Sequence, residues 1–383
     1  MSDFTPDENQ RMLAESARKY IERGYDKAVR AASLADPHGC APLRWNEFAE
    51  MGWLALPLPE ALGGLGGSLA DMCVLAEELG RGLVVEPWIA SGVMAATLLA
   101  VAGTPTQRAH WLPALVAGGK RVAFAAWEAG SRFDATQAGT VAETLDGGYR
   151  LNGVKELVLG APGADAWLVC AACKVADEVS RPTLFMLEPG MPGLELQNYA
   201  MVDGRHAGHL RMRNVRVRAE QRLDAGSDAA QAIELAIDRA LLVQCAETTG
   251  AMARALEITL DYLKTRKQFG RVLAGNQVLQ HRLVDLHVAI EETRALTRAA
   301  ALAFAGAADL RRRYVAAAKA YASQAARLMW EEVVQLQGAI GMSDEYQLGA
   351  YVKHLAVSHT LFGDSEQQFE RMAVMEDRLQ AGR

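Results

Sequence analysis

Long apolar runs are missing from this 383-residue chain. None reaches the ~20 residues a bilayer span needs, so no membrane-spanning helix is expected. Cysteine is scarce, with five in all. Cys170 and Cys173 form a C-x-x-C in a strand-like run with no second pair to complete a zinc set. Buried thiols in a reducing cytoplasm are the better reading. Positive charge is not in excess. The net charge of −6 argues against a nucleic-acid surface. The first residues, Met1 to Glu8, are polar and acidic rather than leader-like, which points to the cytoplasm. No G-x-S-x-G or H-E-x-x-H occurs, and Gly63–Gly67 is not followed by the Gly-Lys-Ser/Thr of a phosphate loop. His281 and His287 are six apart and fall on different helix faces, so no metal site is expected.

What is present is an ordinary globular composition, 50% hydrophobic and 22% charged, with length for two or three domains. Residues 1–119 read as helices. Leu13, Ala17, Tyr20 and Ile21 recur at helical spacing, and a helix over Leu69–Leu79 is expected to be ended by Gly80. Over residues 120–225 the period becomes two. Val122, Phe124 and Ala126 alternate, as do Trp167, Val169 and Ala171, with a bulge expected at Asn214. From 226 to 383 the helical period returns, carried first by Ile233, Ile237, Leu241 and Cys245. The expectation is an α+β fold in three parts: an N-terminal helical domain, a central antiparallel β-barrel or sandwich, and a C-terminal four-helix-bundle domain.

Two motifs carry chemistry. Arg266-Lys-Gln268-Phe269-Gly270 breaks a long helical pattern and is followed by Gln277. A guanidinium fork beside an aromatic face suits a phosphate next to an aromatic base. Further on, Gln335-Leu-Gln-Gly338-Ala-Ile-Gly341 offers an amide and glycines where backbone can approach a ligand closely.

At this spacing and in this order the two motifs resemble the acyl-CoA dehydrogenase family. Leu54 to Gly80 and Gly148-Tyr-Arg-Leu-Asn152-Gly153-x-Lys155 resemble that family's N-terminal and central segments. The resemblance implies FAD-linked α,β-dehydrogenation of an acyl-CoA. A carboxylate takes the α proton, the β hydrogen leaves to the flavin, and oriented donors polarise the thioester carbonyl. It also implies that Arg266, Gln268, Phe269, Gln277, Gln335 and Gly338 reach across a dimer interface to a neighbour's FAD. Ser131 is the remaining residue it carries toward cofactor binding.

The departures from the family pattern fall on the chain's own site. The two positions where the family carries its base align with Phe362 and Ala240, and neither accepts a proton. Glu247 lies two turns from Ala240, ~10 Å along the same face, and is the nearest candidate base or else a buried structural carboxylate. Asp238 is expected to pair with a neighbour such as Arg239. The family's flavin-cradling Thr-Glu-Pro-Gly-x-Gly-Ser-Asp is replaced by Trp127-Glu-Ala-Gly130-Ser131-Arg132-Phe-Asp134, and a flavin-bonding Thr by Leu159. Asp364 and Glu366 stand where Thr and Gln are usual, and acids there repel a pyrophosphate. Residues that would serve a partner's flavin are kept, whereas those that would serve the chain's own are eroded. The reading is one subunit of a heteromeric acyl-CoA dehydrogenase, with a homologous partner, as a dimer or an α2β2 tetramer. FAD would be shared with or held mainly by that partner. A self-sufficient homo-oligomer using Glu247 and a non-catalytic structural subunit stay open as alternatives.

Overall fold

The computed structural model of the chain describes residues 5–135, 138–174, 181–223, 228–268, 270–343 and 346–381. In chain order come α1 (Glu8–Gly24), α2 (Lys27–Ala35), α3 (Pro42–Glu50), α4 (Leu69–Arg81), α5 (Ala96–Ala102) and α6 (Pro105–Val116), with a π-helical stretch, Trp88–Ala95, leading into α5. Strands follow: β1 (Val122–Ala125), β2 (Val141–Leu145), β3 (Gly148–Leu159), β4 (Ala166–Lys174), β5 (Arg181–Leu187), β6 (Leu194–Ala200), β7 (His206–Arg218) and β8 (Arg222–Leu223). Next are α7 (Ala229–Thr265), the short pair β9 (Lys267–Gln268) and β10 (Arg271–Val272), then α8 (Gln277–Ala303), α9 (Ala308–Gln337), α10 (Leu348–Ser358) and α11 (Ser365–Ala381). By packing, the chain forms two compact units. One comprises Met1–Arg30, Leu69–Val84 and Leu241–Arg383, the other Ala31–Ser68 and Val85–Ala240.

Local chemistry sets several helix starts. Asp7 and Gln10 form a capping box on α1, with Gln10 N donating to Asp7 Oδ1 at 2.8 Å. Thr104 and Gln107 do the same for α6, whose first residue is Pro105. Gly338 closes α9 with φ +67°, a backbone angle that favours glycine.

The sheet runs in the order β6-β7-β3-β2-β4-β5-β8, with β1 joined to β4. It is mixed rather than all antiparallel, because β4 pairs in parallel with both β1 and β2. Nor does it close into a barrel along this path. Alternation in the sequence reports which face of a strand is buried, not the direction of its neighbour, which depends on the connecting segment. All four residues of β1 are buried, as strands in parallel pairings tend to be. The bulge at Asn214 is present. The β3–β7 register shifts from Leu151↔Val215 to Gly153↔Met212, and Asn214, at φ +54°, donates its N–H to Asn152 Oδ1 at 2.8 Å. Leu151, Val169, Phe185, Leu210 and Met212 form the core of this unit, with Tyr149 edge-on to Phe185 at 5.0 Å.

In the helical unit Met252, Leu286, Met329 and Leu355 share one core. Gly80 does not end α4, which continues to Arg81. It is instead a contact glycine, since a Cβ there would lie 1.9 Å from Glu247 O. Gly250 answers from α7, where a Cβ would lie 1.8 Å from Glu77 O. The two helices touch backbone to backbone at this crossing.

Candidate functional site

The residues assigned to a nucleotide gather at one end of the helical unit. Arg266 follows α7 and its N–H donates to Tyr262 O at 2.8 Å, while Leu273 N donates back to Arg266 O at 2.9 Å. Gln268 lies on β9 opposite Arg271, and Gln277 opens α8. Gln335 and Gly338 lie at the far end of α9. That end is tied to α7 by Gln337 Nε2 donating to Thr259 Oγ1 at 3.0 Å, and to α8 by the Arg282–Glu332 pair at 2.6 Å. Arg266, Gln268, Gln277, Gln335 and Gly338 are all exposed. Lys264, Arg266, Lys267 and Arg271 put four exposed cations within eight residues, a surface fit for a pyrophosphate. Phe269 lies outside the described residues.

The turn after α10 carries Phe362. Its side chain is buried, 3% exposed, yet its backbone holds φ +61°. A bulky residue in this region stores on the order of 1–3 kcal/mol of strain, which the surrounding contacts must hold. Gly363 follows at φ +102°, where a Cβ would lie 1.9 Å from Gln367 Oε1. Asp364 caps α11, its Oδ1 accepting from Gln367 N at 3.0 Å. No carboxylate stands at Phe362, and Ala240 on α7 is wholly buried.

Glu247, on α7, is buried with its Oε2 3.8 Å from Nε2 of the buried His354 on α10. Beside this pair is a group that sequence reasoning missed. Lys319 of α9 is fully buried and donates to Gln244 Oε1 at 2.9 Å and to Ser358 O at 2.8 Å. Burial lowers its ammonium pKa to about 8, against the opposing pull of Cys245 and Asp364. Its bond to Ser358 O anchors the last residue of α10, just before the Phe362 turn. A lysine within the alanine-rich run Ala316–Ala322 was the signal available in the sequence. The His354 contact had none.

In the sheet-containing unit, the segment after β1 is filled by its own aromatics. Trp127 is 4% exposed and packs edge-on to Phe133 at 5.7 Å, with its Nε1 donating to Phe133 O at 3.2 Å. Arg132 and Phe133 both have positive φ, +45° and +63°. Ser131 is spent locally, its Oγ accepting from Glu128 N at 3.3 Å. Leu159 ends β3 without a hydroxyl to offer. This lining does not fit a flavin ring, which needs small residues and donors. The loop base is nonetheless firmly held. Buried Lys155 pairs with Glu128 at 2.5 Å, and Gly139 N and Thr140 N donate to the same carboxylate at 2.7 and 2.9 Å. Burial pushes the Glu128 carboxyl up, but Lys155 and Thr140 more than offset this and leave it below its usual value.

The pairing expected between Asp238 and Arg239 is not formed. Arg239 Nη1 donates instead to Pro57 O at 3.3 Å and Thr97 Oγ1 at 3.2 Å. Consecutive helix residues diverge by about 100°, which separates the two side chains. Cys170 and Cys173 are buried free thiols, and burial pushes Cys170 up to about 11.

The order of helical, sheet and helical segments is that of one family. Residues 7–119 match the family model described as acyl-CoA dehydrogenase, N-terminal domain, and residues 224–375 match that described as acyl-CoA dehydrogenase, C-terminal domain. The chain belongs to the acyl-CoA dehydrogenase family of oxidoreductases, flavoproteins of lipid β-oxidation that use FAD. It is 28% identical to acyl-CoA dehydrogenase IpdE2 of Mycobacterium tuberculosis, over 96% of this chain and 98% of that protein. It is 26% identical to the mitochondrial isovaleryl-CoA dehydrogenase of Oryza sativa subsp. japonica, over 94% and 89%. Among solved structures it resembles a steroid ACAD, Tcur3481-Tcur3483, with TM-score 0.87 and 30% identity over 98% of this chain and 99% of that one. The ChsE4-ChsE5 complex from Mycobacterium tuberculosis gives TM-score 0.87 and 25% identity over 97% and 98%. No helix among the described residues is long and apolar enough to cross a membrane.

Proposed function

We propose that this chain is one subunit of a heteromeric acyl-CoA dehydrogenase, organised as residues 1–119, 120–225 and 226–383, whose homologous partner supplies the base and most of the flavin site. The observation that carries this reading is Phe362. It is a buried aromatic in a strained turn where the family's carboxylate would stand, while the second base position is the buried Ala240. The aromatic packing of Trp127 and Phe133 supports the same division of labour. FAD held by the pair would supply the acceptor for the hydrogen that leaves the acyl chain. This chain's part is to hold the pyrophosphate side through Arg266, with Gln268, Gln277, Gln335 and Gly338 beside it, and to wall the acyl site. The resemblance to structures of the Tcur3481-Tcur3483 and ChsE4-ChsE5 proteins agrees with a two-subunit assembly.

The visible spectrum of the chain purified alone, with FAD supplied, tests the reading. A colourless folded protein that gains flavin only with a co-expressed homologue is expected. One flavin per chain, bleached by an acyl-CoA, would sink it. That outcome would favour the second reading, a self-sufficient enzyme with Glu247 as base, which the buried Glu247–His354 contact supports.

A further inference from the structure

The connection between β3 and β4 (Ala161, Gly163 and Ala164), Trp167 of β4, and Leu194 and Leu196 of β6 line a cavity of about 320 Å³, with the turn after β5 at its exposed rim. This volume falls at the small end of ligand sites, which run roughly from 300 to 1,000 Å³. None of the residues assigned to flavin or base lines it. The Trp167 indole is the only polar group among the lining side chains. The backbone of Trp167 is fixed on both sides, paired with Ala123 of β1 and Leu187 of β5. Trp167 is 4% exposed, and its Nε1 is buried with no hydrogen-bond partner among the described residues.

A buried donor without an acceptor is costly, and most such donors find a partner. Water suits this one poorly. A water in a cavity needs about two to four polar partners, and these side chains offer a single one. A charged ligand would lose its hydration with no counter-ion in the walls. Walls and donor together suit a neutral apolar molecule with one accepting oxygen. We propose that this cavity binds a small neutral carbonyl compound, its hydrocarbon body against Leu194, Leu196 and the alanines and its oxygen accepting from Trp167 Nε1. Neither flavin content nor subunit composition enters into this.

The test follows the indole N–H resonances of the full chain, labelled with ¹⁵N at its seven tryptophans. Trp167→Phe assigns the Trp167 signal by its loss. The probes are cyclohexanone, methylcyclohexane, which lacks the acceptor, and cyclohexanecarboxylate, which is charged. Cyclohexanone should give a saturable downfield shift of the Trp167 signal before any other indole moves, and the other two probes should not. By calorimetry, Trp167→Phe should weaken cyclohexanone binding about three- to tenfold, the worth of one hydrogen bond. A Trp167 signal that never saturates with cyclohexanone, as when water is its only partner, overturns the proposal. So does equal affinity in Trp167→Phe, or tighter binding of the carboxylate. Should that variant fail to fold, Leu194→Phe takes its place, narrowing the cavity from the half-buried face of β6. It should abolish cyclohexanone binding, and binding that survives it overturns the assignment.

Discussion

Gly80 of α4 faces the backbone carbonyl of Glu247 on α7 so closely that a Cβ would sit 1.9 Å from the oxygen. With Gly250 facing Glu77 O, the crossing admits no side chain from either helix. Both obstacles are backbone and cannot swing aside. Gly80→Ala and Gly250→Ala should each cost about 1–3 kcal/mol by forcing the helices apart. Urea unfolding of the two variants checks this, and a loss below ~0.5 kcal/mol would mean the crossing is looser than described.

Lys319 should give the protein an unusual alkaline profile. Its folded pKa, about 8, lies below the 10.5 of a free lysine, so between these values the unfolded chain binds more protons. The charged buried ammonium therefore burdens the fold below about pH 8, and stability from this group rises with pH from about 8 to 10.5. The shift corresponds to roughly 3 kcal/mol at most. Buried thiols such as Cys245, raised to about 11, pull the other way at high pH. The quantity to measure is thus wild type minus Lys319→Met, followed by chemical denaturation from pH 7 to 10.5. A difference that does not change with pH would refute the assignment.

Phe362→Glu places a carboxylate at the proposed base position. The segment holding Trp127 and Phe133 is unchanged by it, so the chain alone should still show no acyl-CoA oxidation. The co-expressed complex should keep its kcat per flavin within about twofold, since the partner's base does the work. Turnover by the lone variant would show that this chain's own flavin site is intact.

Arg266→Ala should weaken flavin retention by the complex by about ten- to a hundredfold in Kd, as expected when a charge-assisted phosphate contact is lost. Arg266 is exposed at a helix end and carries no core contact, so the melting temperature of the lone chain should stay put. Fluorescence titration of FAD with the deflavinated complex reads the first effect, and calorimetry reads the second. Unchanged flavin affinity would remove Arg266 from the cofactor site.

Much of the architecture is legible locally. The capping boxes at Asp7 and Thr104, the bulge at Asn214 and the stop at Gly338 each arise from residues within a few positions of one another. The identities of Phe362 and Ala240, on which the proposed division of labour rests, are legible too. What local pattern misread was relational. Gly80 looks like a helix stop until α7 is laid against it, and Asp238 with Arg239 looks like an ion pair until the helix turns them apart.

By itself, then, the sequence determined the helical and strand segments and the helix-end cluster around Arg266, since these depend on residue identity and short-range spacing. Only the tertiary structure decided that β4 runs parallel to β1 and β2, that Lys319 holds the last residue of α10, that His354 meets Glu247 and that Arg239 reaches Pro57 and Thr97. Each of these joins residues far apart in the chain. Burial and hydrogen-bond geometry, which no local pattern encodes, fix which of the many possible partners is met.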